Sequence, residues 1–479
     1  LVFSSQAFLF WFLPIALGLY CVVPRRARHL ALTLVSYAFY GWAGPLFCAV
    51  MLASTLLDYA CGLMLVRGAP GGQLAPGGPR ARAQRVWLAV SLAGNLGLLG
   101  FFKYANFGVD TWNGLVGALG FPELALEGCL RVGLPLGISF YTFQSLSYTL
   151  DVYRGRTPAM RSLVDFACFV SMFPQLIAGP ILRFGEVREQ LEERTHTLAK
   201  AARGAALVCL GLGKKVLLAN ACGGLADTVH GAGELAAPEA WLGAAAYTFQ
   251  IYFDFSGYSD MAVGLGLLVG FTFPKNFDGP LRARSLSEHW RRWHLSLTTW
   301  LRDYVYIPLG GSRAGPARAA RNVLLVMLLA GLWHGASWTF VLWGALHGLL
   351  LVAERWNRRR PLWWFLPGPL QTLATFGAVS FAFVLFRAPD LERALGLWRA
   401  MLGLGGDGPG AALVRGLVWR PHGLLGLGLA AAVAWFAPQA WDFTQRLPAW
   451  RVLAVLAVFV AAVAVLSTQA FDPFIYFIF

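Results

Sequence analysis

Residues 322–354 read NVLLVMLLAGLWHGASWTFVLWGALHGLLLVAE, with Arg321 before them and Arg355 after. The stretch is too long for one span of ~20 residues, and Gly331, Gly335, Ala336 and Ser337 gather at its middle, so it predicts two apolar arms with a turn near Gly335. Lys and Arg collect in cytoplasmic loops. Arg321 and the cluster Arg355, Arg358, Arg359, Arg360 therefore put both outer ends on the cytoplasmic side. His334 lies 13 residues beyond Arg321. At ~1.5 Å per residue that is ~20 Å in, past the middle of a ~30 Å hydrocarbon core.

The rest of the chain is of the same kind. Its 479 residues are 57% hydrophobic and 13% charged, with 35 Phe, 19 Trp and 14 Tyr; soluble domains carry roughly 25% charged residues. This excludes a water-soluble enzyme, and so much apolar surface excludes disorder. Apolar runs appear near 5–23, 30–43, 45–66, 86–102, 132–150, 163–181, 204–222, 239–253, 260–273, 322–334, 336–354, 366–387, 421–438 and 451–470. Several are too short to span alone, so the sequence predicts an all-α polytopic membrane protein with roughly 11 to 13 embedded helices, some re-entrant or tilted. No soluble domain separates, and 1–479 reads as a single integral-membrane domain.

The net charge of +15 has its explanation in the same setting, since cytoplasmic loops and the anionic leaflet favour Lys and Arg; no nucleic-acid partner is expected, and membrane lipids are. The first run, Ala7 to Val23, precedes Pro24, Arg25, Arg26 and Arg28. A signal peptide has its charge before the apolar stretch, so this order predicts a retained span with its N-terminus outside. The seven cysteines, Cys129 among them, form no CxxC pair and read as small buried hydrophobes. Gly68 to Gly78 reads as a flexible cytoplasmic loop, and Gly264, Gly266 and Gly270 as close helix packing. Charges alternate from Glu186 to Arg203, predicting a helix at the membrane surface. Lys275 to Arg321 holds nine basic and three acidic residues beside Trp290, Trp293, Trp300, Tyr304 and Tyr306, which suits a cytoplasmic segment at the headgroups.

Polar side chains inside apolar runs are the candidates for chemistry, because burial in lipid costs several kcal/mol unless they are paired or hydrated. In the run from Gln250 to Asp260, Asp254, Ser256, Tyr258 and Asp260 are candidate substrate contacts. They also admit a supporting role, with Asp254 capping a helix that begins near Ser256 and Asp260 pairing with a loop arginine. A second group holds His289, His294 and His334. Depth, the small residues Gly331 and Gly335 that leave space, and the flanking tryptophans single out His334. An imidazole, with an unperturbed pKa near ~6.5, suits a general base acting on an alcohol. The chain has no GxSxG elbow and no HExxH or Cys/His set, so neither a serine nucleophile nor a metal is expected. Direct transfer from a thioester to a hydroxyl needs neither. His289 beside Glu288 reads as a surface residue, and His347, ~220° around from His334 in one unbroken helix, as structural.

The stretches Gly137-Ile-Ser-Phe-Tyr-Thr-Phe-Gln144, Asp151-Val-Tyr-Arg154-Gly, Phe173-Pro-Gln175-Leu-Ile-Ala-Gly-Pro180-Ile, Tyr252 to Gly264, Lys275-Asn276-Phe277, Trp290-Arg-Arg-Trp-His294-Leu-Ser296-Leu, Leu301-Arg-Asp303-Tyr-Val-Tyr306-Ile-Pro308-Leu-Gly-Gly311 and Gly331-Leu-Trp333-His334-Gly occur in one order, and the last span is followed by Phe474-Ile-Tyr-Phe477. Together they resemble the membrane-bound O-acyltransferase (MBOAT) superfamily, in its bacterial branch that acetylates alginate. The resemblance implies a helical body around a tunnel, His334 as the catalytic histidine and His294 as a second active-site histidine. Trp290, Trp293, Arg302, Asp303, Tyr306 and Trp333 would support them. It also implies a thioester donor, acetyl-CoA, arriving from the cytosol with no bound cofactor, an exported polysaccharide as acceptor, a periplasmic acetyltransferase partner, and residence in the bacterial inner membrane. Two other readings stay open: D-alanyl transfer from a carrier protein to teichoic acid, and a polysaccharide transporter. The latter predicts inverted repeats and ionisable residues spread over many spans, neither of which is apparent.

Overall fold

The computed structural model describes residues 2–468 except 129, 130, 178, 234, 314, 359 and 407. Cys129 and the Phe474–Phe477 stretch lie outside the described residues. Every regular element among them is a helix. Five are long and apolar enough to cross a membrane: Pro45–Leu65, Arg82–Ala118, Leu198–Gly231, Gly368–Arg387 and Ala449–Thr468. A sixth span arises if Gly410–Val418 and Pro421–Phe436, bent by 60°, count as one. Pro421 sits at that bend, where its missing N–H and its ring forbid an unbroken ladder. The other expected runs form shorter or less apolar helices, such as Phe8–Val22. Outward faces stay apolar: Leu425, Phe436 and Leu453 are all well exposed, as lipid rather than water would tolerate.

The contacts group the chain into two compact units. The first holds Ala7–Lys200 and Gly266–Phe273. Its Pro45–Leu65, Arg82–Leu99 and Ile138–Arg154 helices share a buried polar knot. The Asp58 carboxylate accepts from Ser91 Oγ at 2.6 Å and from Asn95 Nδ2 at 2.8 Å. Asn95 Oδ1 accepts from Ser54 Oγ at 3.1 Å, and the Thr149 hydroxyl lies 2.9 Å from that of Ser91. The surface helix expected over Glu186 to Arg203 is interrupted. Phe184–Glu192 stops, Arg194 turns inward to the Tyr20 hydroxyl at 2.7 Å, and a new helix starts at Leu198. The Thr197 hydroxyl accepts from Lys200 N at 3.2 Å and caps that start.

The second unit holds Val2–Gln6, Ala201–Leu265 and the chain from Pro274 on. Two runs read separately in the sequence, 239–253 and 260–273, are largely one helix, Ala237–Leu268. Asp254 is therefore in mid-helix and caps nothing. Gly264 packs as expected: a Cβ there would stand 2.5 Å from the Gly204 carbonyl oxygen. The Pro316–His334 and Trp338–Trp356 helices form the anticipated hairpin, reversing at Gly335 to Ser337. Pro316, whose fixed φ suits a first helical position, starts the first arm. The space expected beside His334 is instead filled: a Cβ at Gly331 would strike the Phe340 backbone, and one at Gly335 the Phe340 ring. These glycines permit close approach of the two arms.

Candidate active site

His334 ends the first arm of the hairpin, so the ~1.5 Å rise behind its depth holds unbroken from Arg321. It is buried. Aromatic rings meet it edge-on, among them Trp333 at 5.0 Å between centroids, Trp343 at 5.2 Å and Phe386 at 5.1 Å. Trp333 also meets the His294 ring, at 5.8 Å. One indole thus backs both histidines, and packing fixes the rotamers on either side of it.

His294 is held differently. It lies between the Leu286–Trp290 and Leu295–Leu301 helices in the left-handed region, at φ 42° and ψ 58°. Its carbonyl accepts from Thr298 N at 3.0 Å, opening the second helix. Two backbone bonds clamp this corner: Leu295 N donates to the Asn276 carbonyl and Asp278 N to that of Arg292, both at 2.9 Å. Asn276 Oδ1 accepts from Ser296 N at 3.2 Å and from Ser296 Oγ at 2.9 Å, which fixes the orientation of its amide. The same oxygen lies 3.2 Å from His294 Nδ1. An oxygen that only accepts makes Nδ1 the protonated nitrogen of the neutral ring, so Nε2 carries the lone pair. Nε2 is buried and has no hydrogen-bond partner among the described residues. In the membrane an unspent acceptor is costly unless a ligand meets it. Phe255 at 4.7 Å and Phe277 at 6.3 Å close the sides of the ring.

Two histidines set aside in the sequence belong to the same shell. His289 is buried, not a surface residue; it stacks on Trp293 at 5.5 Å, and its Nδ1 lies 3.2 Å from the Pro280 carbonyl. His347 meets Trp343 at 4.8 Å, and its Nδ1 accepts from Trp290 Nε1 at 3.3 Å. The ~220° separation does not apply to His347, because the chain reverses at Gly335 and its azimuth on the second arm is independent of that on the first. Glu354 was also missed. Its carboxylate accepts from Leu286 N, Ser287 N and Ser287 Oγ at 2.8, 2.9 and 2.6 Å. A carboxylate on three donors at a helix start pins the Leu286–Trp290 helix to the second arm. Its signal in the sequence was a lone acid closing an apolar run.

Of the other candidates, Trp290, Trp293 and Trp333 belong to the ring shell. Asp254 pairs with Lys215 at 2.8 Å and Asp260 with Lys214 at 2.6 Å, so the expected loop arginine is a lysine within a span. A π turn, Lys214–Ala219, widens the helix where the two lysines project. Ser256 Oγ is buried without a partner among the described residues. Tyr258 stacks on Phe3 at 4.4 Å. Arg302 and Asp303 pair with each other at 2.6 Å on the π turn Arg302–Tyr306, which follows the helix that His294 begins. Among the described residues no three His, Cys, Asp or Glu side chains gather as a metal would need.

Inside a helical membrane body, the two buried histidines thus meet on one indole. The profile of the MBOAT, membrane-bound O-acyltransferase family matches residues 131–383, and the chain belongs to that family; it is an O-acyltransferase, and the transporter reading is set aside. It is 43% identical to the probable alginate O-acetylase AlgI of Azotobacter vinelandii over 100% of both chains. It is 36% identical to the peptidoglycan O-acetyltransferase of Helicobacter pylori over 85% of this chain and 80% of that one. A teichoic acid D-alanyltransferase of Streptococcus thermophilus is 31% identical over 47% of this chain and 58% of its own length.

Proposed function

We propose that this enzyme transfers acetyl from a cytosolic thioester, acetyl-CoA, to hydroxyls of an exported, alginate-like polysaccharide across the bacterial inner membrane, directly or through a periplasmic acetyltransferase partner. His334 takes the proton of the attacking hydroxyl while the hydroxyl oxygen bonds to the acyl carbon; the C–S bond then breaks, and the sulfur takes that proton from His334 and leaves as the free thiol. The observation that carries the reading is the bare Nε2 of His294 beside the indole that backs His334. A nitrogen with a lone pair and no hydrogen accepts from a hydroxyl and cannot donate to a carbonyl, so His294 orients the acceptor rather than the donor. The identity to alginate O-acetylases over the full length supports the acetyl group and the glycan. The alternative, D-alanyl transfer, has the lower and shorter similarity in its favour.

The test is incorporation of radiolabelled acetate into secreted polysaccharide by cells expressing the chain. Label from D-alanine, with none from acetate, would replace this reading by the alternative. The sidedness rests on the basic stretch before Arg321. Ser312, exposed between Tyr306 and Pro316, should after Ser312→Cys react only with a thiol reagent supplied from the cytoplasm; reaction from the periplasm alone would invert the topology.

A further inference from the structure

Three apolar helical stretches, Leu198–Gly231, Pro421–Phe436 and Ala449–Thr468, border a groove of about 340 Å³. Leu210, Leu217, Leu429, Val433, Ala454 and Val458 make its walls apolar. Its one charged lining residue, Lys214, is neutralised by Asp260 at 2.6 Å. One end is different. Arg451 sits three and seven residues before Ala454 and Val458, on the stripe that faces the groove, and Arg203 lies seven residues before Leu210 on the facing stripe of the opposite wall. Both guanidinium groups lie over rings of the short Ala440–Phe443 helix: Arg203 is 4.5 Å from Trp441, and Arg451 is 4.9 Å from Phe443, itself a lining residue.

Their remaining contacts hold these groups without exhausting them. Arg451 Nη1 donates to the Phe443 and Arg446 carbonyls at 2.8 and 3.1 Å. Arg203 Nη2 reaches the Trp441 carbonyl at 3.5 Å and, in one orientation of the Gln445 amide, its oxygen at 2.8 Å. Each Nε–H is buried with no partner among the described residues. The nearby carboxylate, Asp442, is engaged by Lys275 at 3.0 Å.

An apolar trough inside the membrane that ends in two unspent guanidinium donors and an aromatic rim has the polarity of one amphiphile. We propose that the groove binds a single anionic phospholipid, one of its two acyl chains along the trough and its phosphate received by Arg203 and Arg451. Guanidinium suits phosphate because its planar fork offers paired N–H donors. Lys275 opens the basic stretch assigned to the cytoplasmic side, where the leaflet surface is negative, so the charge of the lipid fits the side on which the arginines stand.

The test uses the full chain, purified in detergent and stripped of lipid, with phosphatidylglycerol or phosphatidylcholine added back and retained lipid counted by native mass spectrometry. One phosphatidylglycerol should be retained per chain, in preference to phosphatidylcholine by roughly tenfold to thirtyfold, the contribution of two arginines near a charged headgroup. Arg203→Gln with Arg451→Gln should erase that preference. Ala454→Phe, which fills the trough and leaves both arginines, should expel the lipid; it decides the question alone if the double variant fails to fold. Equal retention of the two lipids by the unaltered chain, preference surviving the double variant, or phosphatidylglycerol retained by Ala454→Phe would each overturn the proposal.

Discussion

Two buried polar clusters in this protein are built to opposite rules. In the knot around Asp58, the polar side chains answer one another: Ser91 and Asn95 serve the carboxylate, and Ser54 serves Asn95. In the shell around His334 and His294, polarity is left over. His294 Nε2, His347 Nε2, Trp343 Nε1 and Asn276 Nδ2 are buried and have no partner among the described residues. A satisfied cluster stabilises a fold, because breaking it strands groups that water cannot reach. An unsatisfied one gives up stability for a surface that a substrate can complete. The contrast says where mutations should cost activity and where they should cost stability.

The largest effect should come from His334→Ala. A general base contributes typically 10²–10⁴-fold, so acetyl transfer should fall by about that factor while the protein still inserts. Ala at the end of a helix introduces no strain. Labelled acetate in the polysaccharide, scaled to enzyme abundance in the membrane, measures it. Near wild-type transfer by an abundant variant would return His334 to the same class as the knot.

Lys215 stands between the two cases, a buried charge paired with the buried Asp254 at 2.8 Å. Lys215→Ala takes this ammonium from the buried carboxylate and should destabilise by about 3–5 kcal/mol, whereas Lys215→Met with Asp254→Leu should recover most of the loss. Denaturation in detergent distinguishes them. If the double variant is stable but inactive, Asp254 belongs with the substrate contacts.

For the knot itself, Asp58→Ala removes the acceptor of Ser91 Oγ and of one Asn95 Nδ2 hydrogen, the other keeping the Ser91 carbonyl at 3.0 Å, and should cost about 1–3 kcal/mol. Transfer per folded molecule should not change. A stable Asp58→Ala protein without activity would break the comparison at its other end.

The sequence showed the hairpin and its turn, because hydropathy, basic ends and clustered small residues are local signals. It also singled out His334, by its expected depth, and His294, by the family's motif. His289, His347 and Glu354 were not legible there. Each is recruited by a neighbour remote in sequence: Pro280 and Trp293 for His289, Trp290 and Trp343 for His347, the Leu286–Trp290 helix start for Glu354. Spacing gives the azimuth of a residue only within one helix, and Gly335 ends that helix. The Lys214 and Lys215 pairings were hidden for the same reason, since neither lysine is near its aspartate in the chain.

The smallest and most discriminating test is at His294, where chemistry and backbone strain act on one residue. Its φ of 42° costs a residue with a Cβ roughly 1–2 kcal/mol, less for Asn, and little for Gly. Stability should therefore rank His294→Gly and His294→Asn above His294→Ala, with a spread of about 1 kcal/mol. Activity should rank differently. Asn keeps a side-chain oxygen that can accept from the acceptor hydroxyl, so it should retain measurable transfer, while Gly and Ala both lose most of it. Because the two orders diverge at Gly, strain and chemistry separate without a structure of any variant. Transfer restored by Gly would mean that only the corner of the chain matters there. If Asn is as inactive as Ala, His294 moves a proton rather than holding a hydroxyl.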